Sequence, residues 1–277
     1  MQPAFSSQLV SIIMPTYNCA CFIAQSVESV LAQSHTNWEL IIVDDCSTDN
    51  TKAVLSPYLA KYPNIHYTCL EKNEGPAFAR STALKQAKGD YVAFLDSDDL
   101  WNPEKLTKQI AFMQEKHAGF SATAYSQMNE EGKSLETVLI PPQKTDYVKM
   151  LRLSCPIGNS TVMYDRRILG DQTVPSIQKR NDFALWLQLL HTTPVCCGLP
   201  EVLTIYRVRT KSVSSNKLKL LPYHWHLYYR IEKLGVIKSM WYILCWAFVK
   251  GTGIGINKIR AEKLHRKNVK NPVWYYE

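Results

Sequence analysis

The sequence predicts an α/β fold: a mostly parallel sheet flanked by helices, with a helical basic extension at its C-terminal end. Three observations carry this. Apolar runs of strand length alternate with amphipathic segments over the first 100 residues. The connections between them are short, which favours crossovers that leave helices on both faces of a parallel sheet. Two of the apolar runs stop abruptly in clustered carboxylates, Asp44-Asp45 and Asp96-Ser97-Asp98-Asp99.

Residues 9–14 form the first apolar run, and Pro15-Thr16-Tyr17-Asn18 breaks it as a loop. Asn18 is read as a helix cap, since Ile23, Val27, Val30 and Leu31 then recur at helical spacing. A second strand covers residues 38–43, a second helix 51–62 and a third strand 65–70. Pro76 opens the next helix, where its missing N–H costs nothing, and Gly89 is read as closing it. The fourth strand begins at Tyr91 and delivers Asp96. A helix is then expected over 101–116, with Leu106, Ile110 and Met113 on one face.

Residues 119–165 read as an irregular α+β extension, in which Cys155-Pro156-Ile157-Gly158-Asn159-Ser160 is a loop and 161–164 a strand. Phe183, Trp186, Leu187 and Leu190 share one helical face, which places Asn181 and Asp182 at a helix N-terminus. There they cap the helix, worth about 1 kcal/mol, or Asp182 serves as a general base toward a bound substrate; the two roles are compatible.

The acids at the end of the fourth strand are the chemical centre of the chain. In an open α/β sheet ligands bind beyond the carboxyl ends of the strands. Carboxylates crowded there repel one another and favour a hard divalent cation shared with a phosphate, Mg²⁺ or Mn²⁺. The plainer alternative is a solvated turn with Asp99 capping the next helix. No G-x-G-x-x-G follows the first strand and no G-x-x-x-x-G-K-[ST] occurs, which disfavours a dinucleotide dehydrogenase and a phosphate-loop NTPase.

Charge is unevenly spread. Residues 1–204 hold 17 Lys/Arg against 21 Asp/Glu, whereas residues 205–277 hold 15 against 3. A basic end on a mildly acidic body implies an anionic partner. The loop Tyr206-Arg207-Val208-Arg209-Thr210-Lys211-Ser212 is suited to a diphosphate, or is simply a solvated charge run. Further on, residues 240–249 are apolar for too short a stretch to span a bilayer. Flanked by Lys238, Lys250, Lys258, Arg260, Lys263, Arg266 and Lys267, they suit an interfacial helix on anionic lipid, with a core helix as the alternative. No nucleic-acid-binding module is recognisable, and no nucleic-acid partner is expected. The eight cysteines show no C-x-x-C pair, and several lie in apolar runs, which favours a reducing, cytoplasmic setting. The first apolar run is too short for a signal peptide and follows no basic stretch.

Four segments together resemble the family 2 glycosyltransferases of the GT-A fold: residues 11–18, 39–49, 73–80 and 94–99. The resemblance covers roughly residues 9–210, and the tail is similar to that of bacterial transferases building O-antigen, capsule or teichuronic-type polysaccharides. It implies a GT-A domain over 1–215, with a nucleotide-binding half (1–100) and an acceptor-binding half (101–215), followed by a basic, aromatic-rich tail (216–277). It implies a nucleotide site at Pro15, Tyr17, Asp45, Arg80 and Asp96, with Tyr17 stacking on the base and Asp45 accepting the N3–H of uracil. It further implies a metal, Mn²⁺ or Mg²⁺, on Asp98; a diphosphate contact at Arg209; and Asp182 as catalytic base. The family pair Glu-Asp is here Asn181-Asp182, so the base position is kept and its neighbour loses a charge. The implied activity is inverting transfer from a UDP-sugar to a hydroxyl of a polyprenyl-diphosphate-linked saccharide, at the inner face of the plasma membrane. A non-catalytic nucleotide-sugar-binding protein of the same fold and a nucleotidyltransferase are the competing readings. The donor sugar, the linkage and the choice of metal are not encoded in any motif.

Overall fold

The computed structural model describes residues 8–209, 220–252 and, for backbone alone, 258–260. Four parallel strands form the N-terminal half of the sheet: β1 (Val10–Thr16), β2 (Trp38–Asp44), β3 (Ile65–Cys69) and β4 (Tyr91–Phe94). Their spatial order is β4-β1-β2-β3. The connecting helices are α1 (Ile23–Leu31), α2 (Thr51–Lys61) and α3 (Pro76–Leu84).

Alternation along the strands explains the two layers of core. Val10, Ile12 and Met14 of β1, with Leu40 and Ile42 of β2, pack beneath α1 and α2. Ile13, Ile41 and Val43 point the other way, against the alanine-rich face of α3. Both faces are buried, so these strands read as continuous apolar runs rather than alternating ones.

β1 runs two residues past the expected loop, and Pro15 lies inside it, opposite Val43. This is tolerated because β4 pairs with β1 only as far as Ile13, so the missing Pro15 N–H costs no ladder bond on that side. Gly89 does not close α3, which ends at Leu84. It is needed for close approach: a Cβ there would lie 2.6 Å from Leu9 O and from Ser11 N.

Beyond β4 the sheet changes character. β6 (Phe120–Met128), β7 (Ser134–Leu139) and β9 (Val162–Asp165) pair antiparallel, with β9 lying between β4 and β6. The long β10 (Cys196–Arg207) pairs parallel with β6 and antiparallel with two short strands, β5 (Leu100–Trp101) and β8 (Lys144–Thr145). The helix expected from residue 101 therefore starts later, as α4 (Lys105–Glu115). Trp101 is taken into the strand because its backbone pairs with Thr204 and its indole N–H donates to Ser160 O at 2.7 Å. Tertiary pairing here overrides the local helical pattern.

On the α3 side of the sheet lie α5 (Tyr147–Leu153), the one-turn α6 (Arg166–Leu169) and α7 (Asn181–Thr192). The apolar face of α7 sits in the same core, with Trp186 edge-on to Phe94 at 5.0 Å. The C-terminal elements α8 (Leu221–Trp225), a π-helical turn (His226–Ile231) and α9 (Gly235–Thr252) pack onto this side too, burying Leu227 and Tyr228. The last described segment, β11 (Lys258–Arg260), pairs with β7. Among the described residues no helix is long and apolar enough to cross a membrane.

Candidate active site

The site lies where the carboxyl ends of β1, β2 and β4 meet the N-terminal end of α7. Its floor is made by carboxylates at strand ends, and each is held by a different element. Asp44 accepts from Ser47 N and from the Tyr67 hydroxyl, both at 2.8 Å. Asp45 is buried and accepts from Glu74 N at 2.7 Å and Gly75 N at 2.9 Å. Gly75 has φ +88°, a conformation in which its N–H turns back to the carboxylate just before Pro76 starts α3. Burial raises the Asp45 carboxyl above its ordinary range, and the two N–H bonds counter that rise. Each Asp45 oxygen keeps a lone pair for a further donor.

The neighbouring β1–α1 loop carries Tyr17, which is exposed. Asn18 does not cap α1. Its backbone is left-handed, at φ 48°, and its amide oxygen accepts from Thr48 N at 2.8 Å. Asn18 N donates in turn to Ser47 Oγ at 2.8 Å. These bonds lash the loop after β1 to the loop after β2 and fix Tyr17 and Asp45 on one rim.

Asp96, Asp98 and Asp99 emerge from β4 with different fates. Asp99 is fully buried, accepting from Arg207 N at 2.9 Å and from the Ser160 hydroxyl at 2.5 Å. Burial and the charges of Asp98 and Asp96 hold its carboxyl well above the ordinary range. It is thus a structural acid locking β10 to β4 and does not cap a helix. Asp98 is also raised, by burial and then by the Asp96 charge, against the pull of Arg209. Arg209 reaches Asp98 Oδ2 at 3.3 Å and lies over the Phe22 ring at 5.2 Å. Arg207 is buried behind it, donating to Asp98 O at 2.9 Å and to Gln25 Oε1 at 2.7 Å.

Asp96 is joined to the loop after α5 and, through Arg80, to α7. Its Oδ1 accepts from Arg80 at 2.6 Å and from the Asn159 amide at 2.8 Å. The other arm of the Arg80 guanidinium donates to Asn181 Oδ1 at 2.5 Å. One buried arginine therefore ties the acidic end of β4 to the first residue of α7, which carries Asp182 in its first turn. Neither Asn181 nor Asp182 caps α7 through its side chain; the N-cap is Arg180 in left-handed conformation, at φ 65°. The carboxylate of Asp182 still gains from the positive end of the helix. Its neighbour across the cleft is the loop after α5: burial, and after it the Asp182 charge, push the Cys155 thiol up to about 12. That same loop carries Asn159 and Ser160.

Sequence reasoning read Asn159 and Ser160 only as loop residues and Arg207 as part of an anion-facing loop, whereas Arg207 is buried against Asp98 and Asp99. The run 155–160 is recognisable as a loop, but nothing local signals that it hydrogen-bonds three of the β4-end groups.

Among the described residues no three His, Cys, Asp or Glu side chains form a closed cation cage. The donor set nevertheless fits a divalent cation bound in the open manner. Mg²⁺-type ions take one or two protein carboxylates and complete their shell with substrate phosphates and water. Asp98, raised by burial and then by the Asp96 charge, and met by the Arg209 cation, is a carboxylate beside which a positive charge is favourable.

The glycosyl transferase family 2 model matches residues 11–172, more than half of the chain and the whole of the acidic site up to β9. The chain is a family 2 glycosyltransferase. Its relatives agree. The transferase is 44% identical over 239 residues to TuaG of Bacillus subtilis, a protein named for teichuronic acid biosynthesis, covering 86% of this chain and 94% of TuaG. It is 40% identical over 220 residues to WfgD of Escherichia coli, covering 78% of this chain and 84% of WfgD; that protein is named as a UDP-Glc:α-D-GlcNAc-diphosphoundecaprenol β-1,3-glucosyltransferase. Among solved structures, TarS 1–349 of S. aureus with UDP-GlcNAc superposes with a TM-score of 0.64 at 23% identity, over 79% of this chain and 65% of that one. A mannosyltransferase of Pyrobaculum calidifontis, solved with GDP-Man and Mn²⁺, superposes at 0.58 with 18% identity, over 93% and 78%. These two likenesses confirm the GT-A architecture.

Proposed function

We propose that the transferase moves a sugar from a UDP-sugar to a hydroxyl of a polyprenyl-diphosphate-linked saccharide, with inversion, during assembly of a bacterial surface polysaccharide. The observation that supports this is the Arg80 bridge, which ties Asp96 at the end of β4 to Asn181, the residue before Asp182. The names of the similar proteins supply the classes: a UDP-Glc donor and a GlcNAc-diphosphoundecaprenol acceptor for WfgD, and teichuronic acid biosynthesis for TuaG.

In this reading Tyr17 stacks on the uracil, Pro15 lines the base, and Asp45 accepts the uracil N3–H through a remaining lone pair. Arg80 and Asp96 lie at the ribose. Arg209 faces the diphosphate, and Asp98 holds Mn²⁺ or Mg²⁺. When bound, the cation neutralises charge developing on the departing diphosphate. Asp182 takes the proton of the acceptor hydroxyl as that oxygen attacks the anomeric carbon. One base and one in-line displacement invert the centre, so an α-linked donor gives a β-linked product. The neutral Asn181 is compatible with turnover, because its amide oxygen does for Arg80 what a carboxylate would do. In this reading the enzyme works at the inner face of the plasma membrane, which the acceptor class of the similar proteins supports and the basic C-terminal portion suits.

The test is Asp182→Asn. Transfer should fall by roughly 10²–10⁴-fold, the share of a general base, while UDP affinity is unchanged; wild-type turnover removes the base assignment. In parallel, Asp98→Ala should lose the part of UDP affinity that depends on added Mn²⁺, and equal metal enhancement in both proteins would refute the metal role.

A further inference from the structure

α9 is apolar on both sides. Its inner side buries Ser239, Trp246 and Val249 and packs Tyr242 and Ile243 against the core. On the opposite side Ile237, Trp241, Leu244 and Phe248 recur at i, i+4, i+7 and i+11 and are 85%, 56%, 62% and 57% exposed. Met240 lies beside them, 55% exposed. Isolated exposed apolar side chains are ordinary, but a contiguous stripe of large ones on a single helix face marks a contact surface.

Charge says what the contact is. Residues 235–252 contain no Asp or Glu and two lysines, Lys238 and Lys250. The following 25 residues add Lys258, Arg260, Lys263, Arg266, Lys267 and Lys270 against Glu262 and Glu277. A large apolar face on a helix with lysines and no acid, in a chain end rich in bases, matches an anionic bilayer, in which the side chains enter the acyl boundary and the bases meet headgroups. We propose that the outer face of α9 is a lipid-binding surface that lies in the plane of an anionic membrane.

The inner side of the same helix gives this contact an orientation. The Trp246 ring lies tilted against His224 at 4.8 Å, and Tyr242 meets Tyr228 at 5.9 Å. His224 and Tyr228 in turn flank Phe183 at 6.4 and 6.2 Å. Phe183 directly follows Asp182. One layer of rings separates the lipid-contacting helix from the start of α7, so docking through α9 sets the acceptor side of the cleft near the bilayer. That orientation rests on the lipid-linked acceptor reading; the surface itself does not.

The experiment uses the full chain and vesicles of phosphatidylcholine with and without phosphatidylglycerol, in a sedimentation assay needing neither donor nor acceptor. The wild type should bind the anionic vesicles, more weakly as salt rises. Trp241→Glu/Phe248→Glu should weaken binding by about 100-fold, taking about tenfold for each buried ring. Lys238→Gln should weaken it by about fivefold. Both variants should keep the wild-type unfolding midpoint and UDP affinity. Should the double variant fail to fold, Ile237→Glu, at the most exposed position of the stripe, carries the test. Wild-type affinity in these variants overturns the proposal. So does a wild type that ignores anionic vesicles and forms a dimer that the double variant breaks. Sugar transfer to a detergent-solubilised acceptor reports on the catalytic reading separately: its failure with intact vesicle binding would sink that reading alone.

Discussion

Replacing Arg80 by methionine keeps the apolar stem and deletes the guanidinium. Arg80 is 8% exposed and donates to Asp96 and to Asn181 at 2.6 and 2.5 Å. Deleting one partner of a buried charged pair leaves the other uncompensated, at a cost of about 3–5 kcal/mol. Asp96 keeps the Asn159 amide and its side chain is 26% exposed, so the low end, about 3 kcal/mol, is expected. For a domain of this size that lowers the melting temperature by roughly 6–12 °C. Transfer should fall in the folded variant as well, since the link between β4 and α7 is cut. A displacement of about 1 Å at the base side costs about 10²-fold in rate. Urea unfolding, melting and initial transfer rates below the variant's transition measure the two effects separately. An Arg80→Met/Asn181→Ala cycle then isolates the coupling, expected at about 1 kcal/mol or more. The bridge is refuted as the element joining the two sides if Arg80→Met transfers within twofold of wild type, or if the cycle shows the two substitutions to be additive.

Gly89→Ala should destabilise by about 1–3 kcal/mol, the cost of overpacking, because the new methyl meets backbone atoms of β1 at 2.6 Å; a neutral effect in urea unfolding would contradict the close approach. The raised acids predict a pH dependence. The folded state holds protons on Asp98 and Asp99 that the unfolded chain has released above its ordinary carboxylate value of about 3.9. Fewer protons on the unfolded state mean that stability falls as pH rises from that value through the raised folded values. Asp99→Asn should flatten this slope in unfolding measured with a chelator present, and superimposable slopes would count against it.

The parallel half of the fold was legible because its signals are local. Continuous apolar runs give strands buried on both faces, Pro76 marks the start of α3, and acids at strand ends announce the chemistry whatever packs around them. The family motifs sit in this half for the same reason: backbone turns and strand ends near the nucleotide are fixed within a few residues.

What tertiary structure decided lies at long range. Trp101 falls in the expected helix, yet with Leu100 it pairs with β10, about a hundred residues away. Ser160 meets Asp99 across 61 residues and Arg80 meets Asn181 across 101. Spacing along a chain cannot encode such partners, because each side chain's local environment is equally satisfied by solvent. For residues 240–249 the helical period turns one apolar face to the protein, and the packing of α8 and α5 against α9 leaves the other face exposed. Composition set which chemistry the chain carries; packing chose which of its acids are locked away, as Asp99 is, and which keep solvent access, as Asp96 does.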